Sequence, residues 1–125
     1  MIKKDFIQRH FDELAKVIAA VLKLKNDFKT IEAEAKINDF ANDFLGISFD
    51  EILAIEDNLI QFLIKDKSFT LVHFKLMEDL LYHKYLIKPA DKNLKEITLT
   101  VLKYVSKNDT NYLFERIDRI NELTA

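Results

Sequence analysis

The sequence has no cysteine and no tryptophan, and its 125 residues include one glycine and one proline. Without cysteine, disulfides, thiolate metal sites, iron–sulfur ligation and cysteine nucleophiles are excluded, and a reducing compartment, the cytoplasm, is expected. One glycine cannot build a glycine-rich phosphate loop, and the G-x-S-x-G nucleophile elbow is missing. The common nucleotide-binding and hydrolase motifs are therefore excluded.

The chain also lacks a strong charge of one sign and long apolar runs. Its 19 basic and 21 acidic residues are interspersed and give a formal net charge of −2. We expect no nucleic-acid partner and no membrane partner, because there is neither a basic stripe nor a run of about 20 apolar residues. The charged opening MIKKDFIQRHFDEL does not resemble a signal peptide, so a soluble protein is expected.

Apolar residues make up 49% of the chain, and charged residues make up 32%. Because turn-forming residues are scarce, most of the chain is expected to lie in long helices. The length predicts one all-helical domain, residues 1–125. The predicted fold class is all-α, with about six helices in antiparallel hairpins, arranged as a short tetratricopeptide-like solenoid or an irregular helical bundle.

Two helices are predicted before Gly46. The first covers residues 2–25 and has one apolar face, formed by Phe6, Ile7, His10, Phe11, Leu14, Val17, Ile18, Val21 and Leu22. The second is capped by Asn26 or Asp27 and runs to about Leu45. It has one apolar stripe of Phe28, Ile31 and Ala35, another of Phe40, Ala41, Phe44 and Leu45, and a polar strip of Lys29, Glu32, Lys36, Asp39 and Asp43. Such a helix is expected to bury two sides.

Gly46 is placed where a helix ends in the left-handed conformation, and Ser48 with Glu51 forms a capping box for the next helix. Helical segments follow at residues 49–54 and 57–65. A fourth helix is expected to be capped by Ser68 and ended by Pro89, a fifth covers residues 91–107, and Asp109 or Thr110 caps a sixth. The inward residues expected on the last two helices are Leu94, Ile97, Val101, Leu102 and Val105, then Leu113, Ile117 and Ile120.

The stretch DFIQRHFDELAKVIAAVLKLK (residues 5–25), together with the FLGI segment at the end of the second helix, resembles a bacterial family of unknown function. That family begins D-Y-I-x-R-x-I-x-x-L-A and contains L-L-G-L. The resemblance covers mainly residues 5–60. The chain departs from the family in having Phe6 for tyrosine, and Asn26 and Asp27 where a glycine is expected. The resemblance implies a tetratricopeptide-like helical fold; it implies no activity and no catalytic residues.

The three histidines are the strongest candidate ligands or general bases. His73 and His83 share a helix but lie roughly 15 Å apart along it, which excludes one ion held by both. Asp79 and His83 suggest no third ligand, so a hydrogen bond or ion pair on the helix surface is favoured. His10 and His73 lie toward apolar faces and are interpreted as core-edge residues. We predict no catalytic, cofactor-binding or metal-binding residue, and no cofactor.

The other charged residues are interpreted as solvated surface or ion pairs. Adjacent carboxylates such as Glu78 and Asp79 do not face each other on a helix, so no opposed acid/base pair is expected. The lysines between residues 84 and 107 are interrupted by acidic residues, which disfavours nucleic-acid binding. The chain has three arginines, Arg9, Arg116 and Arg119. Their scarcity marks places where a bidentate guanidinium is needed, and structural ion pairs are the favoured interpretation.

These observations favour a small protein-protein interaction or scaffold module that is not an enzyme and that binds a protein or peptide partner. Such a module is expected to expose an apolar patch, and Leu71, Leu86 and Leu99 are candidates because they lie off the main apolar stripes. One alternative is a homo-oligomeric structural protein. Another is a ligand-binding or enzymatic helical bundle with an interior pocket that holds His73, His83 or Tyr82.

Overall fold

In the computed structural model the backbone is described for residues 4–111 and 113–125, and side chains are described from residue 8 onward except at 112. Within these ranges the chain is helical and contains no strand, so the all-α prediction is confirmed. The elements are α1 (Lys4–Asn26), α2 (Thr30–Phe40), a π-helix π1 (Ala41–Leu45), α3 (Phe49–Leu53), α4 (Leu59–Asp66), α5 (Leu71–Ile87), α6 (Lys92–Asn108) and α7 (Phe114–Thr124). Residues 2 and 3 of the predicted first helix, and the side chains of Phe6 and Ile7, lie outside the described residues.

The chain divides into two compact units, Met1–Phe49 and Asp50–Ala125. Unit 1 holds α1, α2 and π1, and unit 2 holds α4 to α7. In unit 1, α1 packs against α2, and in unit 2, α5 packs against α6 and α6 against α7. Short connections join these packed pairs, so each pair is a helical hairpin. The prediction of a single domain is not decided by this division and stays a prediction.

The turn between α1 and α2 is a Schellman motif with an unusual residue. Lys29 N–H donates to Leu24 O at 2.7 Å, and Phe28 N–H donates to Lys25 O at 3.0 Å. Phe28 occupies the position where glycine is usual, and its φ is 59°. The cap predicted at Asn26 or Asp27 is therefore wrong: Asn26 still belongs to α1, and Lys29 precedes α2 without a side-chain cap.

Unit 1 buries only one of the two apolar stripes predicted for the second helix. The buried residues are Ala33, Ile37, Phe40, Ala41 and Leu45. Phe28 is 93% exposed, Ile31 is 86% exposed, and Ala35 is also exposed. The expectation that both stripes are covered is thus wrong, because helical periodicity identifies apolar faces but not the neighbours that would cover them.

The second helix ends as its sequence predicts. After five residues of π-helix the helical segment ends at Gly46, whose φ is 69°. Phe44 in π1 stacks on Phe40 with ring centroids 4.4 Å apart, and it meets His10 of α1 edge-on at 5.0 Å. His10 is half-buried, so its interpretation as a core-edge histidine is confirmed. Helix α3 begins at Phe49, directly after the Ser48 predicted as its cap.

Unit 2 is built around α5, which is buried on most of its circumference. Its core residues are Phe74, Leu76, Met77, Leu80 and Leu81. Thr70 precedes the helix in place of the predicted Ser68, which has a φ of 56° in the preceding turn. The helix ends at Ile87, before Pro89. Helix α6 agrees closely with its prediction, since Asp91 accepts a hydrogen bond from Leu94 N–H at 3.0 Å and all five expected inward residues are buried.

Helix α7 begins later than predicted, and different residues form its inward face. Leu113 precedes it, while Asp109 ends α6 and accepts a hydrogen bond from Asn111 N–H at 3.2 Å. The cap at Asp109 or Thr110 is therefore wrong. Leu113 is 46% exposed, and Arg116 and Leu123 are the buried residues of α7. The inward face thus centres on a charged residue, which apolar periodicity cannot reveal.

Candidate functional site

The two histidines of α5 contact neighbouring side chains within the fold. Thr70 N–H donates to Nδ1 of His73 at 3.0 Å, and Thr70 Oγ1 lies 3.0 Å from the same nitrogen, so His73 caps its own helix. Its ring also stacks on Phe69 at 4.9 Å. His83 is 7% exposed and meets the Tyr82 ring edge-on at 5.6 Å. The expectation that His83 lies on the helix surface is therefore wrong.

The most concentrated group of charges lies between α5 and α7. Arg116 Nε donates to Glu78 Oε2 at 2.8 Å, and its Nη2 donates to Oε1 at 2.7 Å. Both side chains are buried, with exposed fractions of 3% and 7%. Burial raises the pKa of Glu78, although the guanidinium opposes this, and the carboxylate raises the pKa of Arg116. The bidentate role predicted for a scarce arginine is thus confirmed at Arg116.

Asp109 extends this pair into a network. Its Oδ2 lies 3.4 Å from Nη1 of Arg116 and 3.3 Å from Nζ of Lys75. Burial alone would raise the pKa of Asp109, but the Asn111 N–H and the Lys75 ammonium outweigh burial and lower this pKa. The network therefore balances two buried carboxylates with two cations, so neither Glu78 nor Asp109 is left as an isolated buried charge.

A second group lies beside the first and is more exposed. Arg119 donates to Asp79 and to Glu115, in both cases at 2.5 Å. Its guanidinium carbon lies 4.3 Å from the centroid of the Tyr82 ring, and Tyr82 OH donates to Glu122 Oε2 at 2.7 Å. Burial and this hydrogen bond raise the pKa of Tyr82 to about 12. Arg119 is thus a second structural arginine, and the predicted ion pair of the exposed Arg9 stays a prediction.

These two groups attach α7 to α5, and they have the features of structural ion pairs. A reaction centre needs a nucleophile, a base or an acid that is available to a substrate. Here each charged side chain except Glu122, which accepts its hydrogen bond from Tyr82, lies 2.5–3.4 Å from an opposite charge. A cleft of about 150 Å³ next to Asp109 and Arg116 is lined by Ser106, Thr110, Asn111, Leu113 and Ile117. No group of three or more metal-ligating side chains occurs within the described part of the chain.

The exposed apolar surface of unit 1 is the better candidate site. Phe28 and Ile31, which we call the tip pair, lie at the turn of the α1–α2 hairpin and are the two most exposed large apolar side chains described. The predicted candidates Leu71, Leu86 and Leu99 are only half-buried, so the exposed patch is not where they lie. One feature of the sequence did point to this turn. The family resemblance predicts a glycine close to Phe28, and the chain has Asn26 and Asp27 there instead.

A shallow cleft lies further along the same helix. This cleft, which we call the α2 cleft, has a volume of about 160 Å³ and is lined by Val17, Lys36, Asp39, Phe40, Asp43 and Phe44. Its floor is aromatic and aliphatic, and its charged lining residues are exposed. They belong to the polar strip predicted for this helix, so the strip is confirmed as solvent-facing. The strip and the cleft share Lys36, Asp39 and Asp43.

Two further findings bear on function. Comparison with protein-family models, with curated proteins and with solved structures gave no match. Among the described helices, none combines the length and the apolar character needed to cross a bilayer.

Proposed function

We propose that this protein is a small interaction module that binds a protein or peptide partner through the tip pair, Phe28 and Ile31. The observation that carries the proposal is Phe28, which is 93% exposed and adopts a φ of 59°. A left-handed conformation costs a non-glycine residue about 1–2 kcal/mol. Glycine at this position would avoid both the backbone strain and the exposure of an apolar ring to water. Both effects therefore disfavour phenylalanine in the isolated fold.

A partner that covers the tip pair would offset these costs. Burying a phenylalanine or isoleucine side chain contributes about 1.5–3 kcal/mol. Strained residues concentrate at functional sites, and aromatic anchors are typical of interface centres. Ile31, in the first turn of α2, is 86% exposed, so both apolar side chains at this end of the helix are accessible to a partner. The tip pair therefore has the composition of a small binding hot spot.

In this proposal the activity of the protein is the binding of a partner, and the protein is not an enzyme. The buried charged groups of unit 2 are matched to one another, with Arg116 held by Glu78 and by Asp109. Such pairs orient α7 and leave Arg116 committed to structural partners. The proposal extends to a cytoplasmic location, supported by the lack of cysteine, and to a repeat-like fold in bacteria, supported by the family resemblance of residues 5–60.

The proposal is tested by affinity capture with wild-type protein and two tip variants. Phe28→Gly keeps the turn conformation and removes the ring, and Ile31→Ser removes the second apolar contact. We expect each variant to retain at least one captured partner about tenfold less than wild type, which corresponds to about 1.4 kcal/mol. Mass spectrometry of the captured proteins gives the measurement.

The matched control is Phe114→Ser, because Phe114 is 75% exposed but belongs to unit 2. Capture by this control should equal that of wild type. Circular dichroism should show equal helix content in every variant. If both tip variants retain every partner that wild type retains, the proposed function is wrong.

A further inference from the structure

The exposed side of α2 carries a charge pattern that is complementary to itself. Residues 29–39 read KTIEAEAKIND, and Glu34 is their centre. Lys29 lies five residues before Glu34, and Asp39 lies five residues after it. Glu32 lies two residues before Glu34, and Lys36 lies two residues after it. If a second α2 ran antiparallel with the two Glu34 residues level, Glu32 of each copy would be level with Lys36 of the other, and Asp39 would be level with Lys29, which directly precedes the helix.

Three charges of this pattern also lie on one flank of the helix. At 100° per residue, Glu32, Lys36 and Asp39 fall within an arc of about 60°. All three are exposed, and none of them has an ion-pair partner among the described residues. In an antiparallel pair related by a two-fold axis, the same flanks of the two helices meet. The unpaired charges are thus arranged for a symmetric contact.

The apolar features follow the same symmetry. Phe28 lies in the turn that precedes α2, and Phe40, which lines the α2 cleft, is the last residue of α2. An antiparallel pair places the start of each α2 beside the end of the other, so the exposed ring of each copy would lie at the cleft end of the other. Ala35, small and exposed near the axis, would let the helices approach closely.

We propose that the partner of the tip pair is a second copy of this chain, bound as an antiparallel α2–α2 dimer with reciprocal Phe28 insertion. This proposal rests on the proposed function, because it names the occupant of the same surface. Stable interfaces bury about 1,200–2,000 Å² in total, and one helix face supplies less than this. The dimer is therefore a weak one that dissociates in the micromolar range.

The test is sedimentation equilibrium of the full chain and its charge variants between about 1 µM and about 1 mM, a range that brackets micromolar dissociation. Glu32→Lys and Lys36→Glu each create two like-charge contacts in the dimer, so each variant alone should dimerise at least about tenfold more weakly than wild type. An equimolar mixture of the two restores both contacts in the heterodimer. We expect the mixture, and the double variant Glu32→Lys/Lys36→Glu, to dimerise like wild type.

Lys103→Glu is the charge-matched control, since Lys103 is exposed on α6 in unit 2. It should leave the dimer unchanged, whereas Phe28→Gly should weaken it. A wild-type chain that stays monomeric throughout the range overturns the inference. A dimer that forms equally tightly in wild type, Glu32→Lys and Lys36→Glu also overturns the inference. A monomer whose capture of another protein still depends on Phe28 would overturn self-association while supporting the proposed function, so the two failures are distinguishable.

Discussion

At the scale of single residues, Gly46 and Phe28 occupy equivalent conformations at the ends of helices. Their φ values are 69° and 59°. A methyl group added at Gly46 would meet no atom within 4 Å, so the backbone conformation alone disfavours a side chain there. Gly46 therefore serves the fold, whereas Phe28 keeps a side chain at a position where the fold would favour glycine.

These two positions predict opposite changes in stability. Gly46→Ala should lower the free energy of unfolding by about 1 kcal/mol, and Phe28→Gly should raise it by about 1 kcal/mol, because only glycine takes this conformation without strain. Urea unfolding, followed by circular dichroism at a concentration where the chain is monomeric, measures both. A destabilised Phe28→Gly variant would show that the ring contributes to the fold itself.

Tyr82 predicts a pH dependence. Burial and the hydrogen bond to Glu122 raise the pKa of its phenol from 10.0 to about 12. Because the folded state holds this proton more tightly than the unfolded state, the phenol's contribution to stability is complete below pH 10 and is lost as pH rises toward about 12. The ultraviolet phenolate signal of wild type minus that of Tyr82→Phe should show a midpoint near the raised value.

Glu122→Gln provides the control for this titration. The variant removes the carboxylate charge and leaves Tyr82 in its place, so the pKa should fall part of the way toward 10.0, with burial still raising it. A wild-type midpoint at the ordinary tyrosine value would contradict the environment described for Tyr82.

At the scale of secondary structure, α7 shows how a helix can depend on an ion pair for its attachment. Its buried residues are Arg116 and Leu123, so its apolar contribution is small. Arg116 reaches Glu78 of α5, 38 residues away in sequence. Periodicity predicted that a helix exists here, but the partner of its inward face could not be predicted, since nothing local in sequence links these two residues.

Removing one member of this pair should be costly. Glu78→Ala leaves the buried Arg116 cation with Asp109 as its remaining carboxylate, and we expect the free energy of unfolding to fall by about 3 kcal/mol. Urea unfolding measures this loss. The double variant Glu78→Ala/Arg116→Ala should be less destabilised than the sum of the single variants, with a coupling free energy of about 1–3 kcal/mol. Additive losses would show that the pair contributes no coupling.

Helix α2 shows the complementary case, in which the sequence predicted the residues and not their burial. Its polar strip of Lys29, Glu32, Lys36, Asp39 and Asp43 is exposed as predicted. The stripe containing Ile31 was predicted to be covered and is exposed. Both stripes are apolar at the same helical spacing, so no local property separates the one that joins the core. The candidate site was missed for this reason.

At the scale of the whole molecule, composition alone was enough for the fold class. One glycine and one proline in 125 residues leave little material for turns, and the described residues form helices joined by short segments. The sequence also located most helix ends, since Gly46, Pro89 and Asp91 act through their own backbone or side chain within one turn. Helix ends that depend on other interactions, such as the start of α7, were predicted less well.

The sequence by itself thus determined the helical class, the principal helices and the inward residues of α6, because these follow from interactions between residues a few positions apart. The tertiary structure alone decided that Arg116 is buried against Glu78 and that Phe28 and Ile31 stay exposed. Burial depends on which surfaces meet after the chain folds. A charged residue can then lie in the core and an apolar one at the surface, as Arg116 and the tip pair do.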